Sequence, residues 1–224
     1  MQYSAEAKYA MLVGQLTPNN VTDDAILKAV TAIPREMFVS EELAHAAYVD
    51  EEIAVGAGRF MLSPLTFARM VQLAQPRKAD TVLDIGCATG YSTAVLAHLA
   101  SKVYGLDEQR EFTDKARNNI NALNITNADV TTGSMLDGYP AKAPYNVILI
   151  QGGVQQIPSA LYDQLEEGGR LVAISNVQLR PGQKGGLGKM TLFEKINGHL
   201  AARSSYDALV PLLPGFEQPE GFTF

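Results

Sequence analysis

Val82-Leu83-Asp84-Ile85-Gly86-Cys87-Ala88-Thr89-Gly90 begins as an apolar, β-rich run and breaks into a turn flanked by two glycines four positions apart. Such a run reads as a strand that feeds a helix in an open α/β sheet, and the crevice beside that turn is where these sheets bind ligands. Glycine lets the backbone turn sharply and approach a ligand closely. Tyr91–Ala100 follows with helical periodicity through Ala94, Val95 and Leu99, and Val103–Asp107 reads as the next strand. Asp107 ends that strand 21 positions after Gly86, the place for a carboxylate that accepts both ribose hydroxyl protons.

Two cofactors use this geometry. A dinucleotide site wants G-x-G-x-x-G, so that the pyrophosphate rests on the helix N-terminus. Here the glycine spacing differs, and Asp84 precedes the first glycine. A carboxylate beside the loop repels pyrophosphate and suits the ammonium and sulfonium of S-adenosyl-L-methionine. The methyl donor is therefore the expected ligand and a nicotinamide dinucleotide the alternative. With no His near it in sequence, Cys87 reads as a small packing residue rather than a nucleophile. His98 reads as a solvated or core-edge residue rather than a base.

Outward from the loop, Glu108–Leu123 is a second helix and Val130–Gly133 a third strand. Val147–Ile150 is a fourth, apolar throughout as a buried parallel strand should be. Ile157–Leu165 reads as helix, Gly168-Gly169 as a turn and Leu171–Ser175 as a fifth strand. This alternation predicts right-handed crossovers and a parallel sheet covered on both faces. Arg180–Gly188 reads as a flexible loop. Met190–Ile196 and Leu200–Val210 read as strands joined by a tight Asn197-Gly198 turn. Toward the N-terminus, Thr22 is the expected N-cap of a helix with Asp23 and Asp24 in its first turn. Ile26, Leu27, Val30 and Ile33 form its apolar face, and Pro34 ends it. An irregular segment runs through Tyr48 and Gly56-Ala57-Gly58. Ser63-Pro64 then opens a helix carrying Phe67, Met70, Val71 and Leu73. The expected organisation is an N-terminal helical, acceptor-side module (1–76), a Rossmann-like α/β domain (77–214) with a mostly parallel sheet and an antiparallel C-terminal hairpin, and a tail (215–224).

The 224 residues are 46% hydrophobic and 19% charged, a globular composition. A chain of this length buries about 70% of its unfolded surface without a disulfide or metal staple. Eighteen basic against 24 acidic residues leave a net charge of −6, which argues against the global basic face that sequence-independent nucleic-acid binding needs. A single cysteine excludes an intrachain disulfide and a Cys-based zinc site, and the three histidines are scattered. No metal is expected. Met1–Lys8 lacks a basic and then apolar leader pattern, and runs such as Val147–Ile150 fall far short of the roughly 20 residues that span a bilayer. A cytoplasmic protein without membrane or nucleic-acid partners is expected.

Ile33-Pro34-Arg35-Glu36-Met37-Phe38-Val39, Ala47-Tyr48-Val49-Asp50, Val55-Gly56-Ala57-Gly58, Val82–Gly90, Gly133, Ala143-Pro144-Tyr145, Ile157-Pro158 and Gln164–Val172 carry a resemblance over nearly the whole chain. From about Met11 to about Pro214 it resembles the protein-L-isoaspartate O-methyltransferases. The Pro-Arg-Glu-x-Phe-Val stretch followed by Ala-Tyr-x-Asp is the more specific part, since general methyltransferases share only the loop. The resemblance implies a class I S-adenosylmethionine-dependent methyltransferase fold, with a helical module lidding the cofactor. It implies methyl transfer to the carboxylate of isoaspartyl residues in damaged proteins. Asp84, Gly86 and Gly90 would line the donor site, with Asp107 on the ribose. The full candidate donor set is Asp84, Gly86, Cys87, Ala88, Thr89, Gly90, Asp107, Glu108, Ser134, Met135 and Gln151.

Departures from the family pattern concentrate on the acceptor side. Family members follow the Gly-x-Gly turn with a Gln-Thr-Ile-Ser-x-Pro stretch whose hydroxyls hold the acceptor. This chain has Gly58-Arg59-Phe60-Met61-Leu62-Ser63-Pro64, so Phe60 replaces the Thr and Leu62 the Ser. A hydrogen bond to a charged group is worth about 1.5–3 kcal/mol, so two losses correspond to roughly 10²–10⁴ in rate. Both side chains are also larger than those they replace, and Ser63 is one place off. Ser134 stands where the family has an Asp near the adenine, and Gln151-Gly152-Gly153 replaces a small Thr-Ala-Ala type run where the methyl would be delivered. Phe60, Leu62 and Ser63 are the acceptor-side candidates, and no residue is singled out as catalytic. Three readings follow: an isoaspartyl carboxyl methyltransferase, a methyltransferase of the same fold with another acceptor, and a donor-binding protein without transfer activity. A nicotinamide dehydrogenase is a distant fourth.

Overall fold

A computed structural model describes residues 2–179 and 185–218, and the side chains of residues 2–4 are left out of the description. The N-terminal part holds α1 (Gln2–Met11), which continues as a wide turn through Leu16, and α2 (Asp24–Ala32). Short 3-10 turns at Arg35–Phe38 and Glu41–Ala46 lead into a small hairpin of β1 (Ile53–Gly56) and β2 (Arg59–Met61), and then α3 (Pro64–Ala74). The alternating part follows as β3 (Thr81–Ile85), α4 (Tyr91–Ala97), β4 (Lys102–Asp107), α5 (Arg110–Ala122), β5 (Ala128–Thr132), β6 (Tyr145–Gly153), α6 (Ser159–Asp163), β7 (Leu165–Leu179), β8 (Gly185–Ile196) and β9 (His199–Pro211).

The seven-stranded sheet has the order β5-β4-β3-β6-β7-β8-β9. The first five strands are parallel and the last two antiparallel, as the strand and helix alternation and the Asn197-Gly198 turn predict. Successive residues of the central strands feed opposite faces. Val82, Val147, Leu149, Val172 and Ile174 join the core beneath the N-terminal helices, α3 and α4. Leu83, Ile85, Ile148, Ile150, Leu171 and Ala173 join the core on the other face. Burial on both faces is why these strands read as continuous apolar runs. Phe216 is buried in the second cluster, and its carbonyl accepts from Gln155 N (3.0 Å).

Several local expectations are corrected. The N-cap of α2 is Asp23, not Thr22: its carboxylate accepts from the amides of Ala25 and Ile26 at 2.8 and 3.1 Å. Thr22 instead donates its amide to Gln72 Oε1 (2.8 Å). The Gly56-Ala57-Gly58 stretch is the tip of the β1–β2 hairpin, with φ of 110°, 46° and 74°; strands of four and three residues are too short for a readable alternation. The expected loop at 180–188 is shorter, because Gly185–Gly188 belong to β8 and pair with Leu179, Gln178 and the end of β9. Arg180–Lys184 lie outside the described residues. The Gly168-Gly169 turn falls inside β7 as a bulge, where the register on β6 jumps from Tyr145↔Leu165 to Val147↔Arg170.

Candidate donor and acceptor site

The strand order reverses around β3, whose neighbours are β4 and β6. The C-terminal ends of these three strands bring together the loop Gly86–Gly90, Asp107 and Gln151. Leu106 O holds the loop from below by accepting from the amides of Gly86 (2.8 Å) and Cys87 (3.2 Å). The tight path puts Gly86 at φ 77° and Ala88 at φ 45°. The positive φ favours glycine at Gly86, where an added Cβ would also meet the Arg59 guanidinium at 2.8 Å and a Leu213 methyl at 3.1 Å.

Asp84 is fully buried, and its carboxylate is held by side-chain donors. Ser92 and Thr93 hydroxyls each donate to Oδ2 at 2.6 Å, and Gln151 Nε2 donates to Oδ1 at 2.7 Å. Burial without a counter-ion pushes its pKa up to about 6, against the lowering effect of those three donors. Asp107 is also fully buried. It accepts from Ala88 N (2.9 Å), from Gln109 N (3.2 Å) and from an Arg59 guanidinium nitrogen at 2.9 and 3.1 Å. The thiol of Cys87 is buried, and burial together with Asp84 and Asp107 raises its pKa well above the ordinary value. That is the environment of a packing cysteine rather than a nucleophile.

The remaining donor candidates ring this centre. Thr89 donates its hydroxyl to Phe38 O (2.7 Å) and so ties the loop to the Pro34–Val39 segment. Gly90 caps α4 against Ala116, whose Cβ would lie 2.9 Å from an added one. Glu108 is exposed, and its carboxylate accepts the Met135 amide (3.2 Å). Ser134 is exposed, and its hydroxyl accepts from Asp137 N (3.2 Å). Met135 is buried, with its sulfur 3.7 Å from Arg59 Nη1.

On the acceptor side, Phe60 and Leu62 line a cavity of about 20 Å³ with Gly86, Cys87, Ala88, Thr89 and Gln151. Ser63 is buried, and its hydroxyl accepts from Thr66 N (3.3 Å) as the N-cap of α3. The chain after β9 closes the far side: Leu213 N donates to Gly153 O (2.8 Å), and its methyls would lie 3.1 Å from a Cβ on Gly86. Larger cavities lie aside. One of about 350 Å³ touches the loop only at Thr89, and one of about 410 Å³ on the β5 edge contains none of the candidate residues.

Two arginines have roles that the sequence alone does not show. Arg35 is completely buried. It donates to Ala47 O (2.7 Å) and Leu62 O (2.8 Å), and its guanidinium stacks 4.5 Å from the centre of the Tyr91 ring. It pins the acceptor-side strand to α4. Arg59 reaches from β2 into the loop, pairs with Asp107 and donates to Gly86 O (2.8 Å). The available signal was a charge standing where the family stretch has a neutral Gln.

The donor set fits a nucleoside. A buried carboxylate ends β4, the loop beside it turns through a positive φ at Gly86, and the Ala88 amide fixes the carboxylate toward the loop. The Arg59 guanidinium already donates to the carboxylate in the manner of a ribose diol. A parallel sheet with an antiparallel C-terminal hairpin, a glycine turn after its first central strand and a carboxylate ending the next define the S-adenosylmethionine-dependent methyltransferase fold.

A model of the family described as protein-L-isoaspartate(D-aspartate) O-methyltransferase matches residues 7–208. The chain belongs to that family, whose members are S-adenosylmethionine-dependent methyltransferases. The protein-L-isoaspartate O-methyltransferase of Alkalilimnicola ehrlichii is 34% identical over 206 residues, covering 91% of this chain and 90% of that one. That of Methanoculleus marisnigri is 37% identical over 163 residues, 73% of this chain and 74% of that one. Among solved structures, one named protein-L-isoaspartate O-methyltransferase has a TM-score of 0.77 at 25% identity. It covers 94% of this chain, which spans 65% of that structure's length. A Plasmodium falciparum beta-aspartate methyltransferase, solved in complex with S-adenosyl-L-homocysteine, has a TM-score of 0.71 at 16% identity. It covers 90% of this chain and 96% of its own, a likeness of fold.

Proposed function

We propose that this protein transfers a methyl group from S-adenosyl-L-methionine to a carboxylate of isoaspartyl residues in proteins or peptides, as in protein repair. The observation that carries the reading is the composition of the small cavity between Phe60–Leu62 and the loop. Its walls hold no His, Lys, Asp or Glu. The two titratable groups there, Cys87 and Tyr91, have their pKa values raised by burial. Asp84, the nearest carboxylate, stands behind Ser92 and Gln151 with its oxygens taken by their hydrogen bonds and that of Thr93, so among the described residues no base faces the cavity. This suits an acceptor that is already ionised, as a carboxylate with a pKa of about 4 is.

When bound, the donor supplies an electrophilic methyl on sulfonium. Asp107 would hold its ribose, Gly86 and Ala88 would accommodate its backbone-facing edge, and Met135 with Ser134 would flank its adenine. Asp84, fixed by Gln151, provides negative character beside the loop. Leu62 excludes water from the acceptor side, and alignment contributes most of the acceleration in a reaction that needs no general base.

A second reading, a different and more apolar acceptor, is favoured by one observation: Leu62 is 4% exposed and lines the crevice beside Gln151 together with Phe60, so two apolar side chains stand where the family stretch carries hydroxyls. Label transfer from labelled S-adenosyl-L-methionine to an isoaspartyl peptide, with the matched aspartyl peptide as control, separates the two. Base-labile label on the isoaspartyl peptide alone is the expected result. No label above background, from folded protein that binds S-adenosyl-L-homocysteine, favours the other acceptor.

A further inference from the structure

We propose that Arg59 is an internal occupant of the donor's nucleoside subsite, and that donor binding requires it to be displaced together with the β1–β2 hairpin. The inference rests on the donor reading above. It starts from three contacts of one guanidinium, all to candidate donor residues. Nη1 lies 2.9 and 3.1 Å from the two oxygens of Asp107 and 3.7 Å from Met135 Sδ, and Nη2 donates to Gly86 O at 2.8 Å.

An ionised carboxylate offers about four acceptor positions. On Asp107 the backbone amides of Ala88 and Gln109 take two, and these belong to the fold of the loop and of the turn after β4. Arg59 takes the rest. A ribose diol needs the same positions, so carbohydrate and guanidinium compete for one set of lone pairs. Space makes the same point. The cavity on the Phe60 side of Gly86 is about 20 Å³ and the one lined by Gly58, Arg59 and Leu213 about 10 Å³, each about the room of one water. Small-molecule pockets run to several hundred cubic ångströms.

The occupant is held and also releasable. The Arg59 side chain is 1% exposed, so it leaves only if its strand moves. β2 pairs with β1 alone, in a two-stranded sheet separate from the seven-stranded one. Withdrawal therefore breaks no rung of the main sheet. Arg59 Nε is buried without a partner among the described residues. An unpaired buried donor carries a desolvation cost that exposure relieves. If the competent form is only a fraction of the molecules, the apparent dissociation constant is raised by the inverse of that fraction.

The test is calorimetric titration of S-adenosyl-L-homocysteine into the wild-type chain, Arg59→Gln and Arg59→Lys. Arg59→Gln should bind about tenfold tighter or more, and Arg59→Lys should stay closer to wild type because it keeps a charge for Asp107. Equal or weaker binding by Arg59→Gln, with binding by wild type intact, overturns the occupant and leaves the donor reading standing. No binding by either protein overturns both. Hydrogen exchange on the wild type needs no variant to fold. Amides of Ile53–Met61 should exchange faster when S-adenosyl-L-homocysteine is added, and unchanged or slower exchange there overturns displacement of the hairpin.

Discussion

Asp84 accepts three side-chain hydrogen bonds, and no cation pairs with it among the described residues. Its pKa of about 6 in the folded chain lies above the 3.8 of an unperturbed aspartate. The folded state thus binds a proton more tightly than the unfolded state, and stability falls as pH rises from about 4 to about 6. The cost is fully present above that window and corresponds to about 3 kcal/mol. In Asp84→Asn the amide nitrogen can donate to Ser92 and Thr93 while the carbonyl accepts from Gln151. Urea unfolding should show this variant more stable at pH 7 by up to about 3 kcal/mol, with this residue's share of the slope between pH 4 and 6 gone. An unchanged slope would assign the pH dependence elsewhere. Cys87 makes a parallel case. Its raised pKa and 4% exposure predict that a thiol reagent labels it in native protein at a small fraction of the rate seen in urea. Equal rates would place the loop open.

At the scale of the element, β2 carries both the acceptor candidate Phe60 and the occupant Arg59, and Leu62 follows directly. The double variant Phe60→Thr with Leu62→Ser returns the hydroxyls of the family stretch, and isoaspartyl turnover should rise by roughly 10²–10⁴. No gain in label transfer would mean that the apolar pair is matched to another acceptor. Arg35 explains why its segment was legible early: one side chain ties Ala47 and Leu62 to Tyr91, so three separated stretches of sequence answer to a single clamp. The β7–β8 pairing depends on a glycine in a different way. A Cβ on Gly186 would lie 1.9 Å from the carbonyl oxygen of Gln178. Gly186→Ala should destabilise the chain by about 1–3 kcal/mol or more, read as a lowered thermal midpoint. The start of this strand reads as loop because the stretch from Arg180 to Gly188 carries four glycines and a lysine, whereas backbone pairing to Gln178 and Leu179 makes Gly185–Gly188 sheet.

For the whole molecule, the candidate donor site joins parts distant in sequence, with β2, β3, β4, β6 and the segment after β9 all meeting around Gly86. Binding a ligand to the folded form alone adds about 2.7 kcal/mol at one hundred times the dissociation constant. Calorimetry should show S-adenosyl-L-homocysteine raising the melting temperature by about 5–10 °C at that ratio. A shift near zero would deny a donor site to the folded chain. The parallel sheet and the loop with its two carboxylates were readable from residues alone, because apolar runs, glycine turns and strand-end acids are local patterns with local causes, whereas the order of the strands came only with the tertiary structure. The partner of Asp107 was not readable. Arg59 is 48 positions away in sequence, on a hairpin too short to show a period. Whether a guanidinium faces water or fills a buried site depends on how the hairpin packs against the sheet, and electrostatic pairing in a desolvated crevice leaves no periodic trace along the chain.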